Sequence, residues 1–160
     1  MPFCDDYANN ILKWLFGQSS SLTPTRHSVL YLGLSTNDPE ADLGTFNELS
    51  CNTYERLLIV NNGSEVGNYI GDVSDRAVTN IKQINWTKAT ANWDKANGFG
   101  LFTAPTGGTP IFYGKLDLTP TQEAAGGLLI ETGAVALFDP GALKISFSTT
   151  DISEAAATSE

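Results

Sequence analysis

Two short segments of alternating apolar residues, joined by a cluster of turn residues, constrain the fold of this chain most strongly. Between Trp93 and Leu116 the sequence runs from Gly-Phe-Gly-Leu-Phe, through Pro-Thr-Gly-Gly-Thr at 105–109, to Ile-Phe-Tyr-Gly. Alternation with a period of two is typical of β-strands, and Pro and Gly clusters between such segments form tight turns. The sequence therefore predicts a β-hairpin over this stretch.

The rest of the chain also favours short strands over long helices. Only 17% of the 160 residues are charged, whereas 15 are Gly, and Asn and Thr are frequent, a balance typical of strands and turns. A strand at Val29–Leu34 is apolar on both faces, which predicts a central position in its sheet. Further strands are expected at 54–60, 78–86, 128–130, 134–138 and 143–147. We predict one all-β domain, a sandwich or barrel of about six to nine short antiparallel strands.

The N-terminal residues show a different pattern, which predicts a short amphipathic helix over 5–16. Asp5 or Asp6 can cap its start and Gly17 can end it. Tyr7, Ile11, Leu12 and Leu15 recur at helical spacing, and Trp14 and Phe16 widen the apolar face. Because a helix this short is marginal alone, it must pack on its own domain or on a neighbouring chain. The residues predicted to form an interface with another copy or with another protein are Tyr7, Ile11, Trp14 and Leu15.

Four segments follow from these patterns. Residues 1–17 form the N-terminal arm, 18–27 a linker of mainly Ser, Thr and Pro, 28–150 the β-domain, and 151–160 a flexible tail. No internal repeat of fixed period is visible in the sequence, so a single core is expected.

Charge and hydropathy argue against two classes of partner. The formal net charge is −9 and the pI is near 4.4, so the surface repels the phosphate backbone of DNA or RNA. No apolar run approaches the ~18 residues of a membrane span, and the first residues lack the basic region of a secretory signal. We therefore expect a soluble protein made in the cytoplasm, with no nucleic-acid or membrane partner.

No catalytic, cofactor-binding or metal-binding residue is predicted. His27 is the single histidine, and no nucleophile motif accompanies it. Cys4 and Cys51 lack the spacing of a zinc or redox site; a disulfide between them stays open, although two reduced thiols are the simpler interpretation. Asp38, Glu40 and Asp42 resemble the opening of a calcium loop, but Leu43 and Leu49 stand where that loop needs Gly and Glu, so a solvated acidic loop is favoured.

Several motifs occur together in an order that resembles a known family. They are Tyr-Leu-Gly-Leu-Ser-Thr-Asn-Asp-Pro at 31–39, Tyr-Glu-Arg at 54–56, the hairpin of 93–116, and Gly-Ala-Leu-Lys-Ile-Ser-Phe at 141–147. The chain is similar to small virion proteins of tailed bacteriophages, variously labelled tail-fibre-like, decoration or cement proteins. The segment 61–92 departs from the family pattern. The resemblance implies a non-enzymatic, oligomeric structural protein attached to a capsid or a tail.

Within that family our first expectation is a capsid cement or decoration protein. It would stabilise the head from the capsid surface as a homo-oligomer, with the major capsid protein as partner. A trimer would fit the three-fold positions of a capsid. The alternative in the same class is a tail, baseplate or fibre-adaptor component, with tail proteins as partners.

Two alternatives from other classes remain at this stage. In a carbohydrate-binding receptor module, exposed Trp86 or Trp93 would stack on sugars, although core packing is the commoner role of large aromatic residues. A polysaccharide-cleaving enzyme would need two paired carboxylates among Asp72, Asp75, Asp94 and Glu131. Spacing along the sequence pairs none of these acids, so we predict no enzyme activity.

Overall fold

The computed structural model describes most of the β-domain. The described residues are Phe16, His27, 29–42, 44–51, 53–60, 69–74 and 77–146. The N-terminal helix (Phe16 apart) lies outside them, so Tyr7, Ile11, Trp14 and Leu15 stay predictions. The linker (His27 apart) and the C-terminal tail also lie outside them.

Eight strands and one helix make up the described part of the chain. They are β1 (Val29–Ser35), β2 (Leu57–Val60), β3 (Ala77–Thr79), β4 (Ile84–Asn85), β5 (Gly98–Phe102), β6 (Phe112–Lys115), α1 (Pro120–Ala124), β7 (Leu137–Phe138) and β8 (Lys144–Ser146). All strand pairs are antiparallel. Four strands form one sheet in the order β2-β1-β5-β6, and β3–β8 and β4–β7 form two-stranded sheets. The all-β class is confirmed, whereas the choice between sandwich and barrel stays a prediction.

The central position predicted for β1 is confirmed, because β1 pairs with β2 on one side and with β5 on the other. Leu32 of β1 lies opposite Leu101 of β5, and both side chains are fully buried. Burial on both faces explains why this strand lacks the polar alternation of a surface strand.

The hairpin predicted from 93–116 is also confirmed, as β5 and β6. Phe99 lies opposite Gly114, and Leu101 lies opposite Phe112. Glycine is required at Gly98, because a Cβ there would lie 2.3 Å from Cδ of Pro39. The bare backbone of Gly98 lets the loop that follows β1 pack directly onto β5.

The predicted strand at 78–86 is in fact two strands, β3 and β4, because the buried side chain of Asn80 interrupts it. Asn80 Nδ2 donates to the carbonyls of Lys82 and Asp139, at 2.8 Å each, and Oδ1 accepts from the Leu143 N–H at 2.9 Å. These hydrogen bonds satisfy backbone N–H and carbonyl groups where the chain passes from the β3–β8 sheet to the β4–β7 sheet.

Residues 84–97 and 128–138 run antiparallel as an irregular pair that we name the β4–β7 ribbon. Its backbone bonds include Trp93 N to Ile130 O and Trp86 N to Ala136 O, both 2.9 Å. Because these bonds are widely spaced, only 137–138 is a regular strand, where strands were predicted at 128–130 and 134–138. The predicted last strand, 143–147, is found as β8.

Helix α1 was not predicted. Thr119 caps it in a capping box with Gln122, and Pro120 occupies the first turn. With five residues the helix is too short to show an apolar period, so only the Thr-Pro-Thr-Gln sequence marks it.

Candidate functional site

The two tryptophans proposed as sugar platforms are core residues. Trp86 is 3% exposed and Trp93 is 2% exposed. Their indole N–H groups donate to the carbonyl of Glu55 at 3.0 Å and to Oγ1 of Thr53 at 2.9 Å. The expectation of core packing is confirmed, and neither ring presents a face to a glycan.

The candidate acids of a glycosidase pair are exposed. Asp94 and Glu131 lie on the two paired segments of the β4–β7 ribbon, beside the hydrogen bond from Trp93 N to Ile130 O, whereas Asp72 lies on the segment before β3 and Asp75 lies outside the described residues. None of the three described acids lines the large cleft described below. His27, immediately before β1, is half-buried.

The carboxylates of the acidic loop fold the loop onto the domain. Asp38 Oδ1 accepts from the backbone N–H of Glu40 at 3.0 Å, and Asp42 Oδ2 accepts from Nδ2 of Asn37 at 2.6 Å. Glu40 Oε1 accepts from the N–H of Lys115, at 3.3 Å. Among the described residues no group of three His, Cys, Asp or Glu side chains could hold a metal ion. Cys51 is a half-buried free cysteine, and Cys4 lies outside the described part.

A buried arginine anchors the tip of the β5–β6 hairpin. The Arg56 side chain, 3% exposed, makes a bidentate ion pair with Glu48, with Nε–Oε1 and Nη2–Oε2 distances of 2.7 Å. Nη1 donates to the carbonyls of Ala104 and Gly107, at 2.9 and 2.8 Å. The guanidinium also lies 3.4 Å from the ring centroid of Phe102, a favourable cation–π contact. One side chain therefore fixes both ends of the turn between β5 and β6.

Tyr54 extends this network to β1. Its hydroxyl accepts from the Leu34 N–H at 2.7 Å and donates to Glu48 Oε1 at 3.3 Å. Burial raises the pKa of Tyr54 well above its ordinary value, and the Glu48 carboxylate adds to the rise. Tyr54 is therefore neutral when folded, and we name Glu48, Tyr54 and Arg56 the hairpin anchor.

On the opposite side of the hairpin a cleft of about 580 Å³ opens between β6, α1 and the β4–β7 ribbon. We name it the β6–β7 cleft. Its apolar lining includes Trp86, Phe99, Leu116, Ile130, Leu137 and Phe138. Lys115, Asp117, Asp139 and Lys144 contribute charged groups. A cavity of this size lined mainly by apolar side chains is typical of a binding site.

Apolar side chains of the β6–β7 cleft remain accessible. Leu137 is 46% exposed, and Phe138 and Leu116 are half-buried. Nearby in the ribbon, Leu129 and Val135 are 44% and 43% exposed. Leu137 therefore gives the cleft an exposed apolar side chain suited to contact with another protein.

The fold and these surfaces define an all-β protein with a firmly held hairpin and an open apolar cleft. The family model described as "Podophage GP4 fiber I protein gp80" matches residues 2–138. The chain belongs to this family, which confirms the resemblance to tailed-phage virion proteins and makes the protein a structural, tail-related component of the virion. The comparison with curated proteins finds no match. No described helix has the length and apolar character needed to cross a membrane.

Sequence reasoning missed the hairpin anchor and the β6–β7 cleft. Tyr54 and Arg56 were recognised only as parts of a family motif. The available signal was an arginine between the polar Glu55 and the apolar Leu57, immediately before β2. The cleft had no sequence signal, because its lining comes from distant segments.

Proposed function

We propose that the chain is a structural subunit of a phage tail fibre, and that the capsid-cement role expected first is less well supported. The observation that carries this proposal is the fibre-family match over residues 2–138. That match names a fibre protein and therefore favours the tail alternative over the head.

We further propose that the protein has no enzymatic role and works through contacts with copies of itself and with other tail proteins. The burial of both tryptophans, and the absence of Asp72, Asp94 and Glu131 from the lining of the cleft, support this proposal. A net charge of −9 repels nucleic acid. A homo-oligomer, with a trimer as the first expectation, would bury the apolar side chains exposed around the β4–β7 ribbon.

Quantitative mass spectrometry of purified virions tests the fibre role. We expect a few per cent of the copy number of the major capsid protein, and immunogold labelling at the tail. A ratio near one with labelling over the head would support the cement role instead. Absence of the chain from purified virions would contradict any structural role.

A further inference from the structure

We propose that the β6–β7 cleft is the acceptor for the N-terminal arm, residues 1–17, of a neighbouring copy of the chain. Copies would then be joined by exchange of their arms around a closed ring. The proposal rests on the self-association suggested above and gives it a specific contact.

The chemistry of the β6–β7 cleft suits an apolar helical segment. Its lining includes the rings of Trp86 and Phe99, which are buried, and the half-exposed side chains of Leu137 and Phe138. Covering the exposed apolar side chains removes their surface from water, which favours association. A helix placed in such a groove contacts it through residues at positions i, i+3, i+4 and i+7.

The arm supplies such residues. Tyr7, Ile11, Trp14 and Leu15 recur at that spacing. Phe16, the described residue of the arm, is 73% exposed. A large apolar side chain this exposed in a single chain is available to a partner.

The exposure of Phe16 in the single chain favours a cleft on a neighbouring copy over the cleft of the same copy. The described sheet begins at Val29, whereas Leu34, five residues further along β1, lines the cleft. Five residues of a strand span roughly 17 Å, so the start of β1 lies about that far from Leu34. The linker 18–27 can extend by at most about 35 Å, a length that allows the arm to leave its own domain for an adjacent copy.

This geometry also gives the symmetry of the assembly. Each copy donates its arm from one end of β1 and accepts an arm near the other end. A contact between two different surfaces is heterologous, and when its rotation closes it produces a ring, such as the expected trimer.

The experiment measures the mass of the full-length chain by sedimentation velocity over a range of concentrations. Leu137→Glu places a charge in the cleft. Leu58→Glu is the matched control, because Leu58 is 47% exposed on β2 and does not line the cleft, whereas Leu137 is 46% exposed. Trp14→Glu removes the apolar contact from the arm. We expect association at least tenfold weaker for Leu137→Glu and for Trp14→Glu, and unchanged association for Leu58→Glu.

An equimolar mixture of Leu137→Glu and Trp14→Glu tests exchange directly. One variant keeps an intact arm and the other an intact cleft, so their mixture should regain a heterodimer that neither forms alone. A mixture that stays monomeric would contradict exchange between copies.

Other outcomes overturn the proposal at different steps. If Leu137→Glu assembles as well as Leu58→Glu, the cleft is not the acceptor. A wild-type chain that is monomeric at every concentration contradicts self-association itself, while the virion measurement decides the fibre role independently. Circular dichroism and thermal melting check each variant for folding, and the milder pair Leu137→Gln and Leu58→Gln replaces any variant that unfolds.

Discussion

The four-stranded sheet and the β4–β7 ribbon contain similar apolar residues but bury them to different extents. In the sheet, Leu32 and Leu101 are fully buried at the β1–β5 pairing. The ribbon has the buried rings of Trp86 and Trp93 on one side, yet leaves Leu137 46% exposed. The β1–β5 pair at the centre of the sheet has completed its packing, whereas the ribbon has apolar surface remaining.

The difference extends to polar groups. In the sheet, the Arg56–Glu48 pair is bidentate and the Arg56 side chain is 3% exposed. At the edge of the sheet beside the β6–β7 cleft, the pair of Lys115 in β6 and Glu123 in α1 has exposed fractions of 46% and 50%, so solvent screens it and it contributes little to stability. The comparison teaches that stability is concentrated in the sheet and its hairpin anchor, which leaves the ribbon side free to form contacts with partners.

The largest expected effect comes from removing the ion pair of the hairpin anchor. Arg56→Ala leaves the Glu48 carboxylate largely buried without its partner, and leaves the carbonyls of Ala104 and Gly107 without their donor. Breaking such a pair costs about 3 kcal/mol of unfolding free energy. Urea unfolding measures this loss.

Arg56→Lys is the matched control for this change. Lysine keeps the positive charge but cannot reproduce the planar fork that binds Glu48 and two carbonyls together. We expect the unfolding free energy of Arg56→Lys to lie between that of wild type and that of Arg56→Ala. Equal stability of Arg56→Lys and wild type would show that charge alone, without the fork geometry, holds the hairpin.

A comparison of two glycines distinguishes close packing in the sheet from backbone strain in the ribbon. Gly98→Ala in β5 places a Cβ 2.3 Å from Pro39 Cδ, and such overpacking costs about 2 kcal/mol. Gly133→Ala meets only Lys88 Cε at 3.6 Å, but its φ of +91° disfavours alanine by about 1 kcal/mol. Denaturant unfolding of both variants should rank Gly98→Ala as the more damaging; the reverse order would contradict the tighter packing of the sheet.

The stability of the sheet should also fall at alkaline pH because of Tyr54. The folded state holds the pKa of Tyr54 above its value in the unfolded chain, so above about pH 10 the unfolded state loses its proton first. The unfolded state then binds fewer protons than the native state, and unfolding free energy decreases by up to about 1.4 kcal/mol per pH unit for this group. The stabilisation is complete below about pH 10 and is lost as pH rises toward the folded pKa.

Tyr54→Phe isolates this contribution from that of the other titrating groups. At pH 8 we expect a loss of about 1 kcal/mol, because the Leu34 N–H loses its acceptor. Between pH 8 and pH 11 the wild-type stability should fall more steeply than that of the variant. Parallel pH profiles would mean that Tyr54 titrates normally in the folded protein.

The elements that sequence analysis predicted depend on local, repeating patterns. The β5–β6 hairpin follows from period-two alternation around Pro and Gly, and the doubly apolar β1 implied its central position. The prediction of one strand at 78–86 was wrong. The Asn80 side chain donates to the carbonyl of Asp139 and accepts from the N–H of Leu143, and no local pattern reveals such distant partners. Of the strands predicted at 128–130 and 134–138, only the bridge at Leu128 and the strand at 137–138 form, because the β4–β7 ribbon is held by widely spaced bonds.

Sequence analysis could predict neither the hairpin anchor nor the β6–β7 cleft. Arg56 contacts Ala104 and Gly107, which are 48 and 51 residues away along the chain. The β6–β7 cleft likewise combines residues from Leu34 to Lys144. Such juxtapositions arise from the order of strands in a sheet, and alternation alone does not specify that order.

The smallest expected effect concerns α1, at the edge of the β6–β7 cleft. Thr119→Ala removes the capping box, whose typical contribution is about 1 kcal/mol. Because α1 has five residues and buries none of them, the loss should appear as local opening, with global stability reduced by about 0.5 kcal/mol or less. Hydrogen exchange should quicken at the amides of Glu123 and Gly126, which donate to carbonyls within the turn and its C-terminal end, and remain unchanged in β1 and β5. Faster exchange throughout the sheet would mean that α1 and the sheet unfold as one unit. It would contradict the expectation that the cleft side opens locally while the sheet stays folded.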